Sequence, residues 1–195
     1  MKRLLPYLIL IILGIFLYNY AQTTSENLYY MQGNTKKEPL PIEEIKKDKT
    51  IICSDCDMMV KKLNTSAQVV TPDGETYFFD DIGCMIRWVN ENYFDFEKDV
   101  KMFVFIPECT CYIDAYDAWY IRDGITPIGY GVIAYGTSMA ALRSDLTRSD
   151  QEYGFNNFKD KDTEKEIYEF DEVKLYVLRG ETLLHPLIKK IILNN

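Results

Sequence analysis

Between Ala67 and Phe79 two β-rich stretches flank Thr71-Pro72-Asp73-Gly74, and Asp80-Asp81 comes directly after. Proline and glycine at those positions mark a tight turn, so the stretch is expected to be a hairpin. Asp80-Asp81 stands directly ahead of an apolar periodic run, which is a helix N-cap signal. Ile82, Met85, Ile86, Val89 and Tyr93 then recur at helical spacing and predict a helix over Ile82–Asn92 with one buried face. Met102 to Ile106 is a short apolar strand. This half of the chain is therefore committed to the order β-β-α-β.

The second half of the chain echoes that order. Ala118 to Ile121 and Val132 to Tyr135 are strand candidates joined by a Pro/Gly-rich connection, Arg122 to Gly131. Ser138 to Leu146 is helical in pattern, capped by Thr137 or Ser138, and Val173 to Leu178 reads as a closing strand after a polar stretch from Ser149 to Lys165. The expected fold class is α+β, two tandem β-β-α-β halves over about 50–112 and 113–180. Glu181 to Leu193 has the spacing of a short C-terminal helix, with Pro186 inside it as a kink or a late start.

Met1-Lys2-Arg3 precedes an apolar run from Leu4 to Tyr20. As a helix that run spans roughly 25 Å, slightly short of a bilayer core. Cleavage after Ala21 would want a small residue where Asn19 stands, so residues 1–21 are expected to stay on as a membrane anchor rather than leave as a signal peptide. Lys2 and Arg3 would then remain cytoplasmic, placing the rest of the chain on the periplasmic side of the inner membrane. Residues 22–49 are rich in polar and charged side chains and read as a flexible tether. A net charge of −8 with no visible basic face argues against nucleic acid as a partner.

The chain carries five cysteines, an odd number, so at least one thiol is free, metal-bound or paired outside the chain. Cys53-Ser54-Asp55-Cys56-Asp57-Met58-Met59 puts two thiols and two thioethers in seven residues. Soft sulfur donors select Cu(I), and the lone histidine, His185, lies far along the chain. The candidate metal ligands are Cys53, Cys56 and Met58. A disulfide and a thioredoxin-like redox pair remain open at these positions. Zinc would need two further ligands, and no second C-x-x-C is present. Cys84, in the first turn of the expected helix, is either a buried structural cysteine or a third sulfur. Cys109 and Cys111 fall on the same side of an extended segment, where a bond between them would be strained. Each could instead pair with Cys84 or hold metal. Asp80 and Asp81 are explained most simply as a helix cap. No nucleophile–base pair, phosphate loop or dinucleotide fingerprint is present, so a non-enzymatic role is expected.

Four blocks in order carry a resemblance: the C-x-x-C-x-M cluster, "Asp73-Gly74-Glu75-Thr76-Tyr77-Phe78-Phe79-Asp80-Asp81" leading to Cys84-Met85, "Tyr112-Ile113-Asp114-Ala115-Tyr116-Asp117-Ala118-Trp119-Tyr120-Ile121", and "Thr126-Pro127-Ile128-Gly129-Tyr130-Gly131-Val132-Ile133-Ala134-Tyr135". Together, over about Ile51 to Val173, they resemble the nitrous-oxide reductase accessory proteins of the NosL type. The resemblance implies two β-β-α-β halves similar in fold to alkylmercury lyase. It also implies an exported, membrane-tethered Cu(I)-binding accessory protein, with nitrous-oxide reductase or its maturation machinery as partner. The family's C-x-x-C-G-M maps onto Cys53, Cys56, Asp57 and Met58, with Asp57 where the family usually has glycine. Ile128 stands where many relatives carry methionine. Two rivals come from other classes: a thiol–disulfide oxidoreductase using Cys53 and Cys56, and a disulfide-stabilised interaction module of the cell envelope.

Overall fold

In the computed structural model, residues 11–15, 26–122, 124–136 and 167–183 are described. Its centre is a five-stranded antiparallel sheet in the order β2-β5-β4-β6-β7. The strands are β2 (Tyr30–Met31), β4 (Ala67–Val70), β5 (Thr76–Phe79), β6 (Lys101–Ile106) and β7 (Cys111–Asp114). β4 and β5 form the expected hairpin, with Val70 opposite Thr76 across the Thr71–Glu75 turn. Gly74 sits there at φ +83°, the left-handed region that a turn glycine enters without steric cost.

Helix α2 (Ile82–Glu91) comes next, as the cap signal predicts. Asp81 is the N-cap, and its Oδ1 accepts the Gly83 N–H at 2.8 Å. Ile82, Met85, Ile86 and Val89 turn inward and pack with Val69, Phe79, Met102, Val104 and Ile106 from the sheet. Tyr93, expected on that buried face, is instead 94% exposed at φ +58°. The helix ends at Glu91, so the spacing that placed Tyr93 inward no longer applies there. β-β-α-β thus holds for this half.

The other face of the sheet is where composition misled. Residues 26–49, within the stretch expected to be a tether, are folded onto the domain. β1 (Glu26–Leu28) pairs in parallel with β3 (Lys49–Ile51), and the short helix α1 (Ile42–Ile45) lies between them in sequence. Ile42, Ile51, Val60 and Phe78 make a second buried cluster, joined by Leu28, Met31, Leu40 and Ile45. Scattered apolar residues in a polar sequence were enough to cover one sheet face. Gln68 fixes the docking: fully buried, its amide donates to the Leu40 carbonyl and accepts from the Leu40 N–H, each at 2.8 Å. Because both faces are covered, Phe78 and Phe79 point opposite ways and both are fully buried.

In the second half, β8 (Trp119–Ile121) pairs antiparallel with β9 (Ile133–Tyr135) after a 3₁₀ turn at Ala115–Asp117. Tyr120 also exchanges two backbone hydrogen bonds with Tyr168, at 2.9 and 2.8 Å. The expected closing strand at Val173–Leu178 is a helix, α3 (Phe170–Leu178). Its valines suggested β structure, but Phe170, Val173 and Val177 recur at helical spacing and are the residues it buries. Glu172 supports the start by accepting the Glu169 N–H at 3.0 Å, and Gly180 at φ +74° stops it. α3 packs beside α2 and against β8. In the described residues this half is therefore two strands and a helix. The expected helix at Ser138–Leu146 lies outside those residues, as do most of the run Leu4–Tyr20 and nearly all of the C-terminal segment with His185. Residues 11–15 are helical and exposed, and among the described residues no helix is long and apolar enough to cross a membrane.

Gly83 carries a testable consequence of this packing. A Cβ built there would lie 2.0 Å from Cδ2 of the buried Tyr130 ring, which covers the first turn of α2. Gly83→Ala must push that ring aside, a cost of about 1–3 kcal/mol of folding stability. Chemical denaturation of the variant should show it, and a stability equal to wild type would mean that Tyr130 does not pack on the helix start.

Candidate metal centre

Three separate elements deliver the side chains of one cluster. The loop after β3 supplies Cys53 and Cys56, the residue just past β5 supplies Asp80, and the first turn of α2 supplies Cys84. The loop is folded by its own backbone: the Cys53 N–H donates to the Met58 carbonyl at 2.7 Å, and the Asp57 N–H to the Cys53 carbonyl at 3.2 Å. Closing so tight a loop puts Asp57 at φ +61°. That is the geometric reason glycine suits the position, and aspartate is among the side chains that tolerate it best. Two further bonds pin the loop to the domain. The Ser54 N–H donates to Phe78 and its hydroxyl to Tyr29, both to backbone carbonyls at 2.8 Å.

The sulfurs of Cys53, Cys56 and Cys84 and a carboxylate oxygen of Asp80 all lie within 4.8 Å of one another. With metal–sulfur bonds of about 2.3 Å, donors spaced this way can face a single ion. Cys53, Cys84 and Asp80 are buried and Cys56 is half-buried. All three cysteines are free thiols, so neither a disulfide within Cys53–Cys56 nor one from Cys84 competes with that use.

The thiols are not equivalent. The Cys84 thiol hydrogen-bonds to the Cys53 sulfur, which pulls the Cys53 pKa down and pushes the Cys84 pKa up, so Cys53 is the readier of the two to ionise. Burial pushes the Cys56 thiol up to about 12, and it donates to Asp80 Oδ1 at 3.3 Å. Asp55 lines the same loop: burial raises its pKa, opposed by the Cys84 thiol and by Arg87, 3.3 Å from Oδ1. Its Oδ2 is buried without a hydrogen-bond partner.

Of the sequence-level ligands, Cys53 and Cys56 meet, while Met58 is 37% exposed and Met59 48% exposed on the outer side of the loop. Cys84, expected as either a buried structural cysteine or a third sulfur, joins the pair. Asp80 was missed as a site residue because Asp80-Asp81 was explained as a cap. Only Asp81 caps the helix, accepting also the Ile128 N–H at 3.2 Å, which leaves Asp80 to the thiols. Two adjacent carboxylates for one cap position was the signal that one of them had another use. Cys109 and Cys111 form a disulfide with each other rather than with Cys84.

No family model matches this chain, and no curated protein does. Among solved structures it is similar to the copper chaperone NosL from Shewanella denitrificans, at 14% sequence identity and a TM-score of 0.47, over 70% of this chain and 95% of that one. Likeness at that level leaves the chemistry to the side chains themselves.

Proposed function

We propose that the chain is an exported, membrane-tethered Cu(I)-binding accessory protein that carries the ion as cargo to the assembly of nitrous-oxide reductase. The observation that carries the first part is three free thiols converging with one carboxylate inside 4.8 Å. Thiolate sulfur is the donor class that selects a soft monovalent ion. Cys53 and Cys56 would hold the ion as thiolates, Cys84 would add a third sulfur, and Met58 would offer a thioether from the exposed rim. With the Cys84 proton retained, two thiolates and Cu(I) carry a net charge of −1, one unit less to bury beside Asp80 than three thiolates would bring. The nitrous-oxide reductase part rests on the resemblance of the four sequence blocks, and the periplasmic, anchored location on the N-terminal apolar run. Cys53 and Cys84 are buried and Cys56 is half-buried, which limits thiol–disulfide exchange at this cluster to the Cys56 sulfur, since exchange needs access to the sulfur.

One observation favours a second reading. Asp80 supplies an oxygen donor, and three cysteines with one carboxylate make a closed tetrahedral set that zinc accepts. The two readings part in anaerobic titrations of Cu(I) and Zn²⁺ against competing chelators. Cu(I) bound far more tightly than Zn²⁺ supports the chaperone reading, and the reverse order overturns it. The same titration has a pH signature. The Cys56 thiol, with its pKa pushed up to about 12, is protonated throughout pH 6–8 and must release its proton to bind the ion. Cu(I) affinity should rise by at least about tenfold per pH unit over that window, and a flat profile would remove Cys56 from the ligand set. For delivery, cells lacking the protein should accumulate copper-deficient nitrous-oxide reductase under copper limitation. A fully loaded reductase would leave a copper binder with a different client.

A further inference from the structure

We propose that Cys109–Cys111 is a thiol–disulfide exchange site, a reducible bond on the β6–β7 hairpin that accepts two electrons from a dithiol protein. It uses none of the metal-centre thiols, which are free while this pair is bonded.

The fold does not need this bond. Ile106 at the end of β6 pairs with Cys111 at the start of β7, and the ladder runs on to Phe103 opposite Asp114. The Thr110 N–H donates to the Pro107 carbonyl at 3.2 Å, so the backbone already closes the four-residue turn. A disulfide constrains the unfolded chain more as its ring grows, and this ring encloses a single intervening residue.

The bond is also reachable. Pro107, Glu108, Cys109 and Thr110 are all exposed and Cys111 is half-buried, so an incoming thiolate meets the Cys109 sulfur at the surface. Between the two cysteines, Thr110 is held at φ +52°. For a β-branched side chain that conformation is an outlier, and strained backbone of this kind gathers at sites where function needs it. The ring ties both neighbours of Thr110 together. Opening it leaves Thr110 held by its turn hydrogen bond alone, with more freedom to leave the left-handed region, which favours the dithiol and makes the disulfide the more oxidising form.

In the exchange, a thiolate of the partner attacks Sγ of Cys109. The Cys109–Cys111 bond breaks, and Cys111 leaves as a thiolate that takes up a proton. The partner's second thiolate then attacks the mixed disulfide and releases Cys109, which is protonated in turn. This chain gains two electrons and two protons, and the partner's dithiol loses the same and becomes a disulfide.

The test equilibrates the purified full chain anaerobically with graded ratios of reduced to oxidised glutathione, traps the thiols by alkylation and reads each cysteine by peptide mass spectrometry. Cys109 and Cys111 should pass from oxidised to reduced together within the glutathione range, with the circular dichroism of the domain unchanged. At a fixed glutathione ratio, Thr110→Gly removes the left-handed penalty and should shift the balance about tenfold toward the disulfide. A thioredoxin-type protein lacking its second cysteine should be trapped as a mixed disulfide on Cys109. A pair that stays oxidised in the largest excess of reduced glutathione is a structural clamp and overturns the proposal. So does a balance unmoved by Thr110→Gly, or the failure of any mixed disulfide to form.

Discussion

In a chelator competition, Cys53→Ser or Cys56→Ser is expected to lower Cu(I) affinity by about 100-fold or more, with little change in fold. Groups that merely orient a ligand contribute about 10–100-fold to metal affinity, so removal of a thiolate ligand itself should reach or pass the upper end. Serine keeps the size of the side chain but offers a hard oxygen that stays protonated, which Cu(I) does not favour. The Cys53 variant has a second effect: the Cys84 thiol loses the sulfur it hydrogen-bonds to, and its own pKa should relax downward. Cys84→Ser separates the third sulfur from the first two, with a smaller loss expected than at Cys53 or Cys56. Asp80→Asn should weaken Zn²⁺ more than Cu(I), because it replaces a charged oxygen donor and leaves every sulfur in place. Wild-type Cu(I) affinity in both the Cys53 and the Cys56 variants would end the copper proposal.

Phe79→Ala should cost about 3–5 kcal/mol of folding stability. The ring is fully buried, stands opposite Ala67 in the hairpin register and tilts against Trp88 with centroids 5.6 Å apart. It belongs to the cluster that α2 and the sheet close between them. Asp80 is the next residue, so the cavity opens directly beside the metal centre, and metal affinity should fall along with stability. Guanidinium denaturation checks the first effect and the chelator competition the second. A loss below about 1 kcal/mol would mean that the site collapses onto the gap, with the half-buried Trp88 as the nearest ring to fill it.

Two of the expected features were carried by local signals strong enough to survive folding. The hairpin around Thr71–Gly74 and the helix opened by Asp81 arise from turn and cap chemistry within a few residues, and tertiary packing had no reason to override them. The Cys53–Cys56 loop was legible for the same reason, since the loop closes on itself through the Cys53–Met58 and Asp57–Cys53 bonds. Where a signal depended on distant partners, it was hidden. Residues 26–49 looked like a tether because their apolar residues are sparse, and only the back face of the sheet gives those residues a place to be buried. Val173–Leu178 looked like a strand by its valines, yet α2 offered a helix-shaped surface rather than a free sheet edge.

The sequence by itself determined the order of the first β-β-α-β unit, the thiols available as soft donors, and a loop that brings Cys53 and Cys56 to face one point. Each of these is a property of chain neighbours, settled by steric limits and hydrogen bonds over a few residues. Only the tertiary structure decided that Cys84 and Asp80 join them, that Met58 stays at the rim, and that Cys109 bonds to Cys111. Those outcomes turn on where the end of β5, the first turn of α2 and the β6–β7 turn lie in space. The antiparallel register and the packing of α2 on the sheet fix those positions through contacts between residues far apart in the chain.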